Sequence, residues 1–536
     1  MNYTVTNARF ERCSLMFDIV RHVDGQLIAT QRSTSNDEPI DADESCTAKG
    51  SDCSDSSLSD ADTAEKPNIF LTNSDGSISI DPILLISKSG TVTAKFDLAS
   101  GMKGKCIPGG KWRIDGDCNA DVAEICTDFS KGSCKYTVKV VNEGNSSFVL
   151  IDYTPTVLGI KDKITTFGLR LPFSIGKLFK GSSKRVLFTS ESRSSVSGNM
   201  QYVLDAADGD YNGNKVMFSF FSGKSRLLFY IKTSFIMGLC STVVIDDYYP
   251  LIYRINFGKD VRVIQLWHAC GAFKAVGYSR LGKSGAPQPD DITHRNYTHV
   301  TVSSEDMRQY YAEAFGIPLG RIYATGIPRT DIFFDKAYEN TVNARFFAEH
   351  PQFKGKRIIL FAPTFRGDGA HSAHYPSEMI DFKKLASYCR VSNSAIVFKM
   401  HPFVKGFRVP EGYDDVFADE SGEREVNDLL FSANILITDY SSVIYEFSLL
   451  DRPVIFYAFD LEEYCEKRDF YEPFGNYTAG KLVRSCDELI GALQSNDFEQ
   501  FKLRAFREHS MSACDGNSSK RVAELVFGVE NSSDNS

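Results

Sequence analysis

From residue 186 onward, short β-branched runs alternate with helical stretches, twice over. The first series is "RVLFTS", "KVMFSFF", "STVVID", "VRVIQLW", "YTHVTVS" and "RIYATG", with stretches such as "SSEDMRQYYAEAFG" between several of them. The second follows "HPQFKGK" and runs "RIILFAPTF", "AIVFKMHP", "NILITDYSS" and "PVIFYAF". Strands separated by helices return by crossovers, which makes the sheet parallel. Two consecutive series predict two doubly wound, Rossmann-like domains. Sheets of this type bind ligands beyond the carboxyl ends of their strands, and a cleft between two such domains is the natural site.

The boundaries follow from shifts in pattern. Residues 1–155 carry short alternating runs, among them "SISIDPILLIS", "KYTVKVVN" and "SFVLIDYTP", separated by Gly, Asn and Ser. They predict a β-rich accessory domain, a small sandwich or barrel. Inside it, at about 34–66, lies a Ser/Asp-rich stretch too polar to offset the entropy of ordering, read as a disordered loop. Residues 37–66 hold ten acidic residues and two lysines out of a net charge of −9 for the whole chain, so the acidity belongs to one segment and says little about the substrate. Residues 156–184 read as a basic linker: seven basic residues and one acidic one lie between Lys161 and Arg185, with Phe and Leu interleaved. A solvated connection and a surface for anionic lipid head groups both fit that composition. The Rossmann-like domains are assigned to 185–340 and 341–525, and 526–536 to a disordered tail.

Several classes are disfavoured. The opening "MNYTVTNARFERCSLMFDIV" alternates like a strand and lacks the basic–apolar–small order of a signal peptide. Without that signal, thirteen cysteines read as free thiols, and Cys106, Cys118, Cys126 and Cys134 lack the close pairs of a typical zinc site. Residues 227–245 approach the length of a membrane span, but Lys232 and the β-branched "STVVI" fit a buried helix and strand better. No Walker A loop or GxGxxG occurs, which weakens nucleotidase, kinase and dehydrogenase readings.

The strand ends carry the chemistry. "VIQLW" ends at His268; "IYATG" leads to Arg329 and Asp331; "ILFAP" to Thr364 and Arg366; "IVFKM" to His401; "ILITD" to Thr438, Asp439, Ser441 and Ser442. Five polar strand ends on the ligand-binding edge point to a site. In "ITDYSSVIYEFSLL" a strand gives way to a helix, whose first N–H groups suit an anion such as a diphosphate; a simple N-cap fits too. Arg366 and His401 suit a phosphate as forked donor and as donor or acid. His268, following Trp267 and followed by the small "ACGA", is placed to take a proton from a hydroxyl, or to be a satisfied core histidine. Lys274 is a phosphate-neutralising cation or an ordinary surface lysine.

Together, "QLWHACGAFKAVG", "TGIPRTDIFF", "ILFAPTFR", "KMHPF" and "ILITDYSSVIYEFSLLDRPVIFYAFDLEEY" resemble the CDP-glycerol glycerophosphotransferase family, the teichoic acid polymerases and primases with their ribitol-phosphate relatives. The resemblance spans about residues 185–515 and leaves 1–155 unexplained. It implies a GT-B-like fold, two Rossmann-like domains facing a cleft, in which an alditol phosphate passes from CDP-glycerol or CDP-ribitol to a hydroxyl of a lipid-linked acceptor or growing polymer, releasing CMP. By the same resemblance Trp267-His268 is the family's motif and His268 the general base; Trp267 and Lys274 are assigned to the acceptor or a phosphate. His401, Arg329, Arg366, Thr438, Asp439, Ser441 and Ser442 attend the donor diphosphate. No cofactor, metal or nucleic acid is expected, and a peripheral place on the cytoplasmic face of the cell membrane is. Many relatives carry Gly-Thr-Pro after the histidine where this chain has "ACGAFK", so the alditol stays open. The rival readings are a nucleotide-sugar glycosyltransferase on the same fold and a non-catalytic polymer-binding protein.

Overall fold

The computed structural model describes residues 3–23, 26–27 and 67–528, apart from 89–90, 103, 117, 121, 145, 183, 224, 368 and 423–424. The acidic stretch at about 34–66, expected to be disordered, lies outside the described residues, as does 529–536 of the tail expected at 526–536. Val526 and Phe527, by contrast, end a helix and are buried, because their apolar side chains pack against the first lobe's sheet. The chain divides into two compact units, Met1–Val157 with Leu281–Asp291, and Leu158–Arg280 with Ile292–Ser536.

The first unit holds two six-stranded, mainly antiparallel sheets. The opening stretch is a hairpin, Tyr3–Glu11 with Ser14–Val23, turned at Arg12 in the left-handed region (φ 53°). In the other sheet Lys135–Glu143 pairs with Ser146–Thr154, and the alternation predicted from sequence buries Tyr136, Val138, Val140, Val149 and Ile151. One assignment needs correcting. Residues 281–291, which the sequence pattern assigns to the first Rossmann-like domain, belong to this β-rich unit. Asp290 accepts hydrogen bonds from the Thr156 backbone N–H at 2.6 Å and the Tyr153 hydroxyl at 3.2 Å. A polar loop has no periodicity to announce where it packs.

The second unit contains two parallel six-stranded sheets, one per lobe. Numbered within each lobe, the strand order is 2-1-3-4-5-6 in the first (Arg185 to Tyr323) and 3-2-1-4-5-6 in the second (Arg357 to Val483). Both are doubly wound orders, and their strands are near-continuous apolar runs because helices cover both faces. The chain then returns to the first lobe. Val522, Ala523, Val526 and Phe527 of the last helix, Ser518–Phe527, pack against Val186, Phe188, Val244 and Ile264. The boundary drawn from sequence leaves most of this helix with the second lobe, yet its apolar face matches the first lobe's sheet.

The stretch read as a linker is a 19-residue helix, Ile160–Leu178. Leu169, Phe173 and Gly176 bury one face against the helix Arg226–Leu239. A Cβ on Gly176 would lie 2.1 Å from the Phe235 carbonyl oxygen, and one on Gly238 2.2 Å from that of Phe173, so the two backbones touch through glycines. The 226–239 helix leads into the strand Thr242–Ile245, as the buried-unit reading of 227–245 expected. Among the described residues, no helix is long and apolar enough to cross a membrane.

His509, on the helix Phe501–Met511, ties the lobes electrostatically. Its Nδ1 faces Asp306 of the first lobe at 2.8 Å and its Nε2 faces Glu472 at 3.0 Å. With a carboxylate on each nitrogen the ring favours the cation: the Glu472 bond raises its pKa above the ordinary value against the opposing effect of burial. Glu472 falls to about 2, chiefly through the His509 bond. A raised histidine pKa gives stability that is fully present below the unfolded value, about 6.5, and lost as pH rises through the folded value. The melting-temperature difference between wild type and His509→Gln should therefore shrink as pH rises above about 6.5. Thermal melts across that range test it; a constant difference would rule out the charged tie.

Candidate active site

His268 follows the strand Arg262–Gln265, and buried contacts fix its position. Gln265 Oε1 accepts the Trp267 N–H at 2.9 Å, and Asn199 Nδ2 donates to the Trp267 carbonyl at 2.7 Å. Trp267 sits in the left-handed region (φ 52°), a strain of about 1–3 kcal/mol that persists only where surroundings over-determine it. Its ring packs edge-on against Phe315 at 5.0 Å and lies 4.5 Å from the His268 ring. His268 is about half exposed and its Nδ1 lies 3.2 Å from Asp247 Oδ1.

His401 follows the strand Ser394–Phe398 of the second lobe. Its ring stands 4.7 Å from both Phe365 and Phe403, and its Nδ1 accepts the Phe403 N–H at 3.1 Å. An accepting Nδ1 places the ring proton on Nε2. Burial, then the charge of Lys274, lowers its pKa, so near neutrality it is an uncharged Nε2–H donor. Lys274 donates to the Tyr464 hydroxyl at 3.0 Å, and burial brings its pKa down to about 8. It is not an ordinary surface lysine: it is a partly buried cation whose charge is only partly offset, by Asp439.

A cavity of about 840 Å³ gathers these groups. Its lining includes Trp267, His268, Lys274 and Arg329 from the first lobe and His401, Ser441 and Ser442 from the second. Arg193 and Lys399 are also on the lining, as are Glu425, Asp428 and Glu446.

Three expected site residues are not on this lining. Arg366 is held by Asp460 through two bonds of 2.6 and 2.9 Å and by Asp439 at 2.9 Å, and its NH1 also donates to the Thr364 carbonyl at 2.7 Å. Its fork is occupied by carboxylates. Asp439 Oδ1 accepts the backbone N–H groups of Thr364 and Tyr440, and Thr438 Oγ1 donates to the Ala362 carbonyl. These residues form the frame that presents Thr364, Tyr440 and the serines. Arg329 reaches the lining but is paired with Glu446 and donates to the His268 carbonyl. The helix after the serine turn, Val443–Ser448, has six residues and no side-chain cap, so its dipole is small and the hydroxyls are the turn's main donors.

The small "ACGA" also proves to have another use. Gly271 has φ 61°, and a Cβ there would lie 2.1 Å from the Tyr445 ring. The room belongs to a tyrosine of the second lobe. Cys270 and Phe273 are likewise buried in the second lobe's core. Sequence reasoning missed Asp247, Asn199 and Glu446. Asp247 had a signal, since "STVVIDD" is one more strand ending in acidic residues on the ligand-binding edge; Asn199 and Glu446 lie on helices with nothing to mark them. Away from the cavity, Glu349, His350 and Glu420 bring ligand-type atoms within 4.8 Å of one another, with His350 Nε2 facing Glu420 at 2.6 Å.

Comparison with known proteins fits this arrangement. Residues 173–528 match the family model described as CDP-Glycerol:Poly(glycerophosphate) glycerophosphotransferase. The teichoic acid ribitol-phosphate polymerase TarK of Staphylococcus aureus is 44% identical over 369 residues, 68% of this chain and 72% of that protein. The teichoic acid poly(ribitol-phosphate) polymerase of Bacillus spizizenii is 38% identical over 374 residues, 69% of this chain and 60% of that one. The matched stretch thus leaves a quarter or more of each relative's length uncovered. A Bacillus subtilis teichoic acid glycerol-phosphate primase is 28% identical over 301 residues, 55% of this chain and 76% of that one. A solved structure of the wall teichoic acid polymerase TagF superimposes with a TM-score of 0.55 at 20% identity, covering 69% of this chain and 98% of that one, which supports the two-lobed fold. The chain belongs to the CDP-glycerol:poly(glycerophosphate) glycerophosphotransferase family.

Proposed function

We propose that this protein transfers an alditol phosphate from a CDP-alditol to a hydroxyl of a growing teichoic acid-type polymer or its lipid-linked acceptor. The observation that carries the reading is one cavity holding a half-exposed histidine beside a carboxylate, a neutral histidine donor and a partly buried lysine of lowered pKa. The acceptor hydroxyl attacks the donor's β-phosphorus, a new P–O bond forms and the bond to CMP breaks. His268 takes the hydroxyl proton, and CMP carries away the leaving electron pair. His401, Lys274 and the hydroxyls of Ser441 and Ser442 meet the diphosphate, so that catalysis rests on positioning and charge stabilisation. Arg329 on the cavity wall, and Arg366, Thr438 and Asp439 behind it, hold the loops that carry these groups. The first lobe takes the acceptor and the second the donor. Ribitol is the favoured alditol, because the ribitol-phosphate polymerases reach 44% identity against 28% for the glycerol-phosphate primase.

Release of CMP from CDP-ribitol, CDP-glycerol and a panel of nucleotide sugars tests the reading. His268→Ala should lower kcat by about 10²–10⁴-fold and leave donor affinity unchanged, whereas His401→Ala should weaken donor binding. Release only from a nucleotide sugar would overturn the function and keep the fold. The lysine predicts a pH dependence: Lys274 is charged below about 8 and loses its proton above it. KM for the CDP-alditol should rise as pH passes about 8, and Lys274→Met should have a high KM with no such rise. A KM in wild type that is flat across this range would remove Lys274 from the diphosphate site.

The same reading places the protein peripherally on the cytoplasmic face of the membrane, through the outer face of the 160–178 helix. Opposite its buried stripe, Ile160, Ile164, Phe167, Leu171, Ile175 and Leu178 are exposed at spacings of four and three, a second apolar stripe turned to solvent. Lys161, Lys163, Arg170 and Lys180 flank it, and Leu227 and Leu228 extend it on the neighbouring helix. Apolar side chains within a basic margin suit the boundary layer of an anionic bilayer. In flotation with phosphatidylglycerol-containing vesicles, Ile164→Ser/Phe167→Ser should lose binding while keeping CMP release from a soluble acceptor. Equal flotation of variant and wild type would sink this placement.

A further inference from the structure

Asp247 stands behind His268 and is not part of the cavity lining. The strands Thr242–Ile245 and Arg262–Gln265 are parallel neighbours in which Ile245 pairs with Gln265, so the residues two and three past these ends meet. Gln265, fully buried, clamps both loops at once. Its Nε2 donates to the Asp247 carbonyl at 3.0 Å, and its Oε1 accepts the Trp267 N–H. The Asp247 carboxylate accepts its neighbour's N–H, that of Tyr248, at 2.6 Å. The adjacent Asp246 is engaged elsewhere, buried and paired with Arg193 at 2.6 Å. That leaves Asp247 as the acidic group facing the histidine.

We propose that Asp247 is the positioning residue for the transfer reaction: it holds the His268 imidazole with its proton on Nδ1, so that Nε2 keeps the lone pair that receives the acceptor proton. The chemistry rests on the transfer reading above; the 3.2 Å approach of His268 Nδ1 to Asp247 Oδ1 does not. Burial works to raise the Asp247 pKa, but bonds from His268 and Tyr248 outweigh it and leave the carboxyl below the usual range. An ionised carboxylate only accepts, so the Nδ1 opposite it must donate. When Nε2 takes the proton from the hydroxyl, the imidazolium forms beside a fixed negative charge. The Nδ1 proton stays on the ring, and Asp247 stays ionised.

The test is Asp247→Asn, whose amide offers an N–H to Nδ1 and favours the opposite tautomer. Long-range ¹H–¹⁵N spectra of His268 should change from the Nδ1–H to the Nε2–H form. With CDP-ribitol, kcat should fall by about 10²–10⁴-fold with donor affinity unchanged. In a His268→Ala background, Asp247→Asn should cost nothing more; with His268 in place, Asp247→Glu should keep part of the rate that Asp247→Asn loses. An unchanged tautomer, or a loss equally large without His268, would overturn the proposal and leave Asp247 a structural role. If wild type releases no CMP from either CDP-alditol, the transfer reading fails, and the tautomer still decides whether Asp247 orients His268.

Discussion

The loop 267–276 is the stretch on which the site depends, because both lobes hold it. Its first residues leave the first lobe's sheet; its middle is enclosed by the second. Gly271 lies against the Tyr445 ring and its carbonyl accepts from Tyr311 of the first lobe. The Ala272 carbonyl accepts from Tyr477, the Ala275 N–H reaches Asp469, and Tyr471 donates back to Phe273. A loop bonded on both sides cannot follow one lobe without being pulled from the other. His268 at one end and Lys274 at the other are therefore placed by the docking of two domains, a route to the fixed geometry that catalysis by positioning requires.

The arginines show how charge is apportioned around that loop. Arg329 and Arg366 are both largely buried, and each is matched by carboxylates: Glu446 for one, Asp439 and Asp460 for the other. Unpaired charges in such places would cost several kcal/mol, roughly, so the fold neutralises them internally and uses them as struts. Lys274 is treated differently. Its hydrogen bond goes to a neutral phenol, and its depressed pKa records a cation without adequate compensation. The cavity thus keeps the Lys274 charge under-neutralised, while the stronger forks of Arg329 and Arg366 are already satisfied.

Much of this was legible in the sequence because it rests on local periodicity. Alternating strands and helices gave two parallel sheets, and their carboxyl ends gave His268, His401 and the serine turn, all of which reached the cavity. What was not legible depends on partners distant in the chain. No local pattern says that Arg366 is taken by Asp460, that 281–291 packs with the β-rich unit, or that the last helix returns to the first lobe. The 160–178 helix was hidden differently: apolar on two faces and interrupted by Pro172, it lacks the single stripe by which a surface helix is recognised.

The sequence by itself determined the fold class, the family and the residue types of the site, since each is written in spacings of a few residues. Tertiary structure decided which polar residues face the cavity and which are consumed in holding it. That division turns on pairing across tens to hundreds of residues. A buried charge is silent or active according to whether a partner of opposite sign lies within a few ångströms, and only the docked lobes fix that distance.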